Sequence, residues 1–110
     1  MINYTTPTIV LTVEGVDLTD MDVYVTLEQG AHELTKTGED LTITTETESE
    51  QTNTVLATVL TQAESAAFDF GKSALVQVNW ISAQGVRCAT EIGKIAVMRN
   101  LLDEVVEYGG

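Results

Sequence analysis

The chain has 110 residues, with 17 acids against 5 bases, one His, one Cys and a formal net charge of −12. That length fits one domain, and ~110 residues hold a core without metal or disulfide staples. An apolar content of 44 % separates it from disordered chains despite the charge. The acidity argues against partners that need Lys and Arg, namely nucleic acid and an anionic membrane.

Aromatics make up 5 % of the chain, so the expected core is aliphatic. Thr occurs 17 times, as often as all acids together. Thr is β-branched and polar, which suits the solvent face of a strand. Met1-Ile2-Asn3-Tyr4 lacks the basic and apolar stretches of a secretory signal. No run approaches the ~20 apolar residues of a membrane span, and a lone Cys88 has no internal disulfide partner. Cytosolic synthesis is the expectation. Eleven acids and one base (Lys36) fall in residues 1–55, against six acids and four bases in 56–110. One region of the surface is therefore expected to be strongly negative.

In chain order, residues 7–13 alternate Ile9, Leu11 and Val13 with Thr8, Val10 and Thr12, the period of a half-buried strand. Pro7 suits its start. Residues 15–20 read as a loop. Met21, Val23, Val25 and Leu27 alternate with Asp22, Tyr24, Thr26 and Glu28, the clearest strand of all. After a turn at 29–31, His32 to Thr37 predicts a short polar strand. A second turn at 38–40 leads into Leu41 to Thr44. Thr45 to Asn53 has no apolar residue and reads as a solvated loop or hairpin tip. Val55 to Leu60 is a compact apolar strand.

Thr61-Gln-Ala-Glu64 has the form of a capping box, which predicts a short helix near residues 61–68. A strand from Ala74 to Ile81 follows, then a hairpin turn in which Gly85 is free to take positive φ. The returning strand, Val86 to Val97, is expected to bend or bulge at Gly93. Residues 100–107 read as a final short helix or strand, and Tyr108-Gly109-Gly110 as a frayed end. About seven strands with frequent turns predict an all-β, antiparallel sandwich. It is expected to be one domain over 1–110, with its core at about 7–102 and a tail at 103–110. Trp80, in a central strand, is the expected core anchor.

Chemistry-bearing patterns are sparse. The scattered glycines form no phosphate-cradling loop. His32 falls in an expected exposed turn, without the held partner and cleft that a catalytic base needs. Cys88 lies in a strand and is expected to be buried or half-buried, outside the basic, exposed setting of a reactive thiol. Asp17, Asp20 and Asp22 form a weak Ca²⁺ candidate, since that ion takes loop carboxylates, although Asp17 equally suits capping of its own loop. Glu46, Glu48 and Glu50 would repel one another on one strand face and read as a solvated tip. Tyr4 and Tyr24 are expected to be exposed. Tyr24 together with Glu46, Glu48 and Glu50 offers a possible interaction surface. No catalytic residue and no cofactor are expected.

Several segments carry a resemblance. They are Pro7-Thr-Ile-Val-Leu11, Val16-Asp-Leu-Thr-Asp-Met-Asp-Val-Tyr-Val-Thr-Leu27, Leu34-Thr-Lys-Thr-Gly-Glu-Asp-Leu41, Leu60-Thr-Gln-Ala-Glu-Ser65, and Val76-Gln-Val-Asn-Trp80 with Gly85 downstream. Over residues 7–102 the chain resembles small virion proteins of phages and prophages of Gram-positive hosts. It is most similar to the Ig-like N-terminal domain of phage baseplate upper proteins. It departs at Asp20-Met21, where Gly-Ala is common, and at Ala83-Gln84-Gly85, where the family has an Asp-Gly turn.

The resemblance implies an Ig-like β-sandwich and a non-enzymatic structural or adaptor role in a baseplate, tail tip, collar or head decoration. Its partners would be other phage structural proteins, in a homo-oligomer or multi-copy assembly, with no nucleic acid and no membrane. Its place would be the virion, after synthesis in the host cytoplasm. Two other functions compete: an Ig-like module binding carbohydrate or a cell surface, and an acidic DNA-mimic inhibitor.

Overall fold

The structure is a computed structural model that describes residues 1–108. Eight strands form two antiparallel sheets: β1 (Thr8–Val13), β2 (Asp22–Gln29), β3 (His32–Thr37), β4 (Thr42–Glu48), β5 (Gln51–Val59), β6 (Ser73–Ile81), β7 (Arg87–Ala89) and β8 (Gly93–Ala96). One sheet has the order β1-β5-β4. The other runs β3-β2-β6-β7, with β8 also paired to β6. The only α-helix among the described residues is α1 (Gln62–Ala66).

The connections give this all-β sandwich the immunoglobulin-type Greek key. In the usual lettering, β1, β5 and β4 stand as B, E and D, and β3, β2, β6 and β7–β8 as C′, C, F and G. The hairpins β2–β3, β4–β5 and β6–β7 and the β7–β8 link stay within a sheet, while β1–β2, β3–β4 and β5–β6 cross between sheets. Strand A has no full counterpart. Residues near the N-terminus instead meet the end of β8, where Ile2 bridges Met98 in parallel and the Met98 N–H donates to the Met1 carbonyl at 2.7 Å.

Period-2 patterning explains the layers. Ile9 and Val13 of β1, Val23, Val25 and Leu27 of β2, Leu56 of β5 and Ala74, Val76 and Val78 of β6 face inward and are buried. Leu18, Leu41, Leu60, Phe68 and Val97 close the ends of this core from the connections. The anchors are Phe68 and Leu18, both with no exposed surface. Trp80, the expected anchor, instead packs partly buried at the rim. It is the penultimate residue of β6, paired with Val23 at the start of β2 and with Cys88 on the short β7. At that end too few neighbours remain to cover an indole.

The two predicted turns with specific chemistry form. Thr61 caps α1 in a full capping box: its hydroxyl accepts from the Glu64 N–H at 3.1 Å, and the Glu64 carboxylate accepts from the Thr61 N–H at 2.9 Å. Gly85 closes the β6–β7 hairpin at φ 81°. Four other expectations need correction. The returning strand is two strands, β7 and β8, because the register against β6 slips by one residue between Asn79↔Ala89 and Val76↔Gly93. The bulge therefore lies at Thr90–Ile92, before Gly93. The Thr90 hydroxyl takes the Val78 N–H at 3.1 Å, and the Thr90 N–H donates to the Val78 carbonyl at 2.9 Å.

The polar stretch 45–53 is paired strand up to Glu48↔Gln51, leaving only Ser49 and Glu50 as the turn. Thr-rich sequence tolerates a sheet with one solvated face, so the missing apolar residues do not break pairing. Residues 100–107 form neither helix nor strand. The last buried residue is Val97, and 101–108 are all exposed. Gly109 and Gly110 of the expected frayed end lie outside the described residues.

Candidate interaction surfaces

Asp17, Asp20 and Asp22 lie where β1 leads into β2. The Asp17 carboxylate is occupied by its own loop: it accepts from the Thr19 hydroxyl at 2.7 Å and the Thr19 N–H at 3.0 Å. These two bonds hold its carboxyl below the ordinary aspartate range. Among the described residues no three His, Cys, Asp or Glu side chains gather to hold a metal ion. The spacing of the three aspartates is therefore that of an Asx turn running into a strand. Asp22 already belongs to β2 beside Ile81.

This loop is tied to the opposite sheet by polar groups that hydropathy could not reveal. The Thr54 hydroxyl accepts from the Leu18 N–H at 3.0 Å and donates to the Val16 carbonyl at 2.7 Å, with Thr54 wholly buried. The Asn53 side-chain amide oxygen accepts from the Gly15 N–H at 3.0 Å. Two polar residues at adjacent strand positions are thus buried because they satisfy loop backbone groups.

His32 is not a solvated turn residue. It opens β3 on the inner side, with its ring edge-on to Phe68 at 4.8 Å between centroids. Its Nε2 is buried without a hydrogen-bond partner. Cys88 is exposed rather than buried, because β7 is a three-residue edge strand with no neighbour beyond it. Tyr4 is half-buried at positive φ, whereas Tyr24 is exposed.

The suggested surface of Tyr24, Glu46, Glu48 and Glu50 is not one surface. Tyr24 stands on the outer face of the β3-β2-β6-β7 sheet. Glu46 and Glu48 belong to β4 in the other sheet, and Glu50 to its hairpin turn. What the sequence places near one another in a list, the sandwich places in different layers.

Two outer sheet faces remain uncovered. On the three-stranded sheet, Val10 and Val59 are exposed, with Ala57 and Val55 half-buried beside them and Thr8, Thr12, Thr42 and Thr44 around them. No base lies on these strands. On the other sheet, Tyr24, Thr26, Thr35, Asn79, Ile81 and Arg87 line a shallow depression of about 380 Å³. Within it the Thr26 and Thr35 hydroxyls share a hydrogen bond at 3.1 Å, and the Arg87 guanidinium donates to the Asn79 amide oxygen at 3.4 Å. Lys94, paired with Leu75, extends the same face along β8, where Ile92 is also exposed.

A third uncovered element is the C-terminal segment. Leu101, Leu102, Val105, Val106 and Tyr108 are all exposed, Leu101 at 86 %. This stretch touches its own domain through Gln62 of α1, whose side-chain amide donates to the Val106 carbonyl at 2.7 Å and accepts from the Val106 N–H at 2.9 Å. Its apolar side chains were visible in the sequence, but their exposure was not. No family model, curated protein or solved structure matches this chain.

Proposed function

We propose that the chain is a non-enzymatic structural or adaptor subunit of a phage virion, acting through protein–protein assembly. The observation that carries this reading is the concentration of uncovered apolar surface on one short segment, five large side chains within residues 101–108. Apolar surface left in one place on a small domain marks a protein contact more often than a catalytic cleft. The resemblance of residues 7–102 to phage baseplate domains supports the same reading, as does the immunoglobulin-type sandwich that the resemblance implied. The acidic surface keeps free subunits soluble before they meet a partner.

Co-expression of the tagged chain with the products of its neighbouring genes, followed by light scattering and negative-stain imaging, tests the proposal. The expected result is a stoichiometric complex with a structural protein. A chain that retains none of those products contradicts it.

The depression beside Tyr24 favours one second function, binding of carbohydrate or a cell surface. An exposed aromatic flanked by an amide and a guanidinium is the kind of lining that holds a sugar ring and its hydroxyls. A glycan array separates the two: saturable binding abolished by Tyr24→Ala supports the second, and silence across cell-wall glycans removes it.

A further inference from the structure

The C-terminal segment has a pattern that its conformation does not use. At about 100° per residue, Leu101, Leu102, Val105, Val106 and Tyr108 share one helical arc of about 160°. Asp103, Glu104 and Glu107 occupy the opposite arc. Strand periodicity would mix them, giving Leu-Asp-Val-Glu on one face and Leu-Glu-Val-Tyr on the other. Only the helical period separates apolar from acidic.

Helix-start chemistry is also in place. Asn100 stands as an N-cap, and its side-chain oxygen already accepts from the Leu102 N–H at 3.1 Å. Acids follow in the first turn, where the helix dipole favours them. Yet the segment is not helical, and all its apolar residues are exposed. An eight-residue helix is marginal alone and forms when its apolar face gains a surface.

A second copy of this chain provides one. Of the two uncovered sheet faces, the three-stranded one carries no base, so an acidic segment gains nothing there. The other carries Arg87 and Lys94 on its β7–β8 side, both outside any salt bridge among the described residues, beside Ile81, Leu75 and exposed Ile92. Of the acids on that face, Glu33 lies on β3, while Asp22 and Glu28 on β2 pair with Ile81 and Leu75, so β6 separates them from Arg87 and Lys94. Glu91, exposed between β7 and β8, borders the hollow with Leu11, Thr12 and Val13 of β1. Asp103 and Glu104 flank the two sides of the helical stripe, placed to meet the bases.

We propose that residues 101–108 fold as an amphipathic helix on the β6–β7–β8 side of this face in a second copy. The proposal rests on the assembly reading above and names the partner. Each copy has one tail and one receiving face, so the contact closes as a reciprocal two-fold dimer or repeats head-to-tail into a ring or a filament.

Sedimentation velocity and far-UV circular dichroism of the full chain, from about 10 μM to about 1 mM, test it. The expected result is reversible association with helical signal rising as mass rises. Arg87→Glu with Lys94→Glu, and separately Asp103→Lys with Glu104→Lys, should each weaken association about tenfold or more through like-charge contact. All four reversals together should restore most of it. These residues are exposed, so folding is not at risk. A monomer across the whole range overturns the proposal, and so does association that the reversals leave unchanged. A monomer that still joins a neighbouring structural protein overturns this proposal alone and leaves the assembly function standing. Self-association as described, with no such neighbour bound, does the reverse.

Discussion

Phe68 and Trp80 show how differently two aromatics serve one core. Phe68 follows α1 and is fully buried in a T-shaped contact with His32, while Trp80 sits at the rim of the opposite end of β6. Phe68→Ala should cost about 3–5 kcal/mol, and Trp80→Ala distinctly less. Urea denaturation of both variants measures this, and the reverse order would contradict the placement. Thr54 makes the complementary point for polar groups. Thr54→Val keeps the shape but strands the Leu18 N–H and the Val16 carbonyl, each at about 1–3 kcal/mol. A loss near 2–3 kcal/mol by the same method is expected, and a neutral result would deny that the hydroxyl holds the loop. Alternation in the sequence showed which way Trp80 points. It could not show how far along β6 the opposing sheet reaches, and that decides its burial. For His32 and Cys88 the deciding fact was likewise a long-range neighbour, present in the first case and missing in the second.

The β4–β5 hairpin turns through Ser49 and Glu50 at φ 51° and 65°, a two-residue turn with both central residues left-handed. Neither residue is suited to that region, whereas Asn-Gly is. Ser49→Asn with Glu50→Gly should raise stability by about 1 kcal/mol. A lowered thermal midpoint would show that the turn differs from the one described. The tie between β3 and α1 is electrostatic. Burial raises the Glu64 carboxyl, but the Lys36 ammonium at 2.8 Å and the Thr61 N–H outweigh it and leave it below the ordinary value of 4.5. A carboxyl depressed in the folded state contributes stability above its unfolded value and loses it as pH falls through the folded one. The wild type should therefore lose stability steadily below about pH 4.5, and Glu64→Gln should be weaker at neutral pH but flatter in that range. Equal slopes in acid titrations of unfolding would contradict the tie. At this scale the sequence was most informative where chemistry is local: the Thr61–Glu64 capping box and Gly85 formed as expected. The bulge at Thr90 depends on a register against β6 and left no signal of its own.

Across the molecule, alternation and turn spacing made the all-β sandwich legible. Strand order was not, because pairing of β1 with β5 or β2 with β6 joins residues some fifty apart. The same blindness divided the expected surface, sending Tyr24 to one layer and Glu46 to the other. It also concealed the tail, whose Leu and Val residues read as one more element and proved to be uncovered. With the core ending at Val97, the tail adds no buried side chain to it and is held by Gln62 at Val106, which leaves its apolar side chains for the contact proposed above. Hydrogen exchange followed by mass spectrometry, comparing the free chain with its assembled form, tests this most directly. Protection gained over residues 101–108 and along β6–β8, with the core unchanged, is the predicted result. Protection confined to the acidic β1–β2 loop and the β4–β5 tip, or gained nowhere, would contradict it.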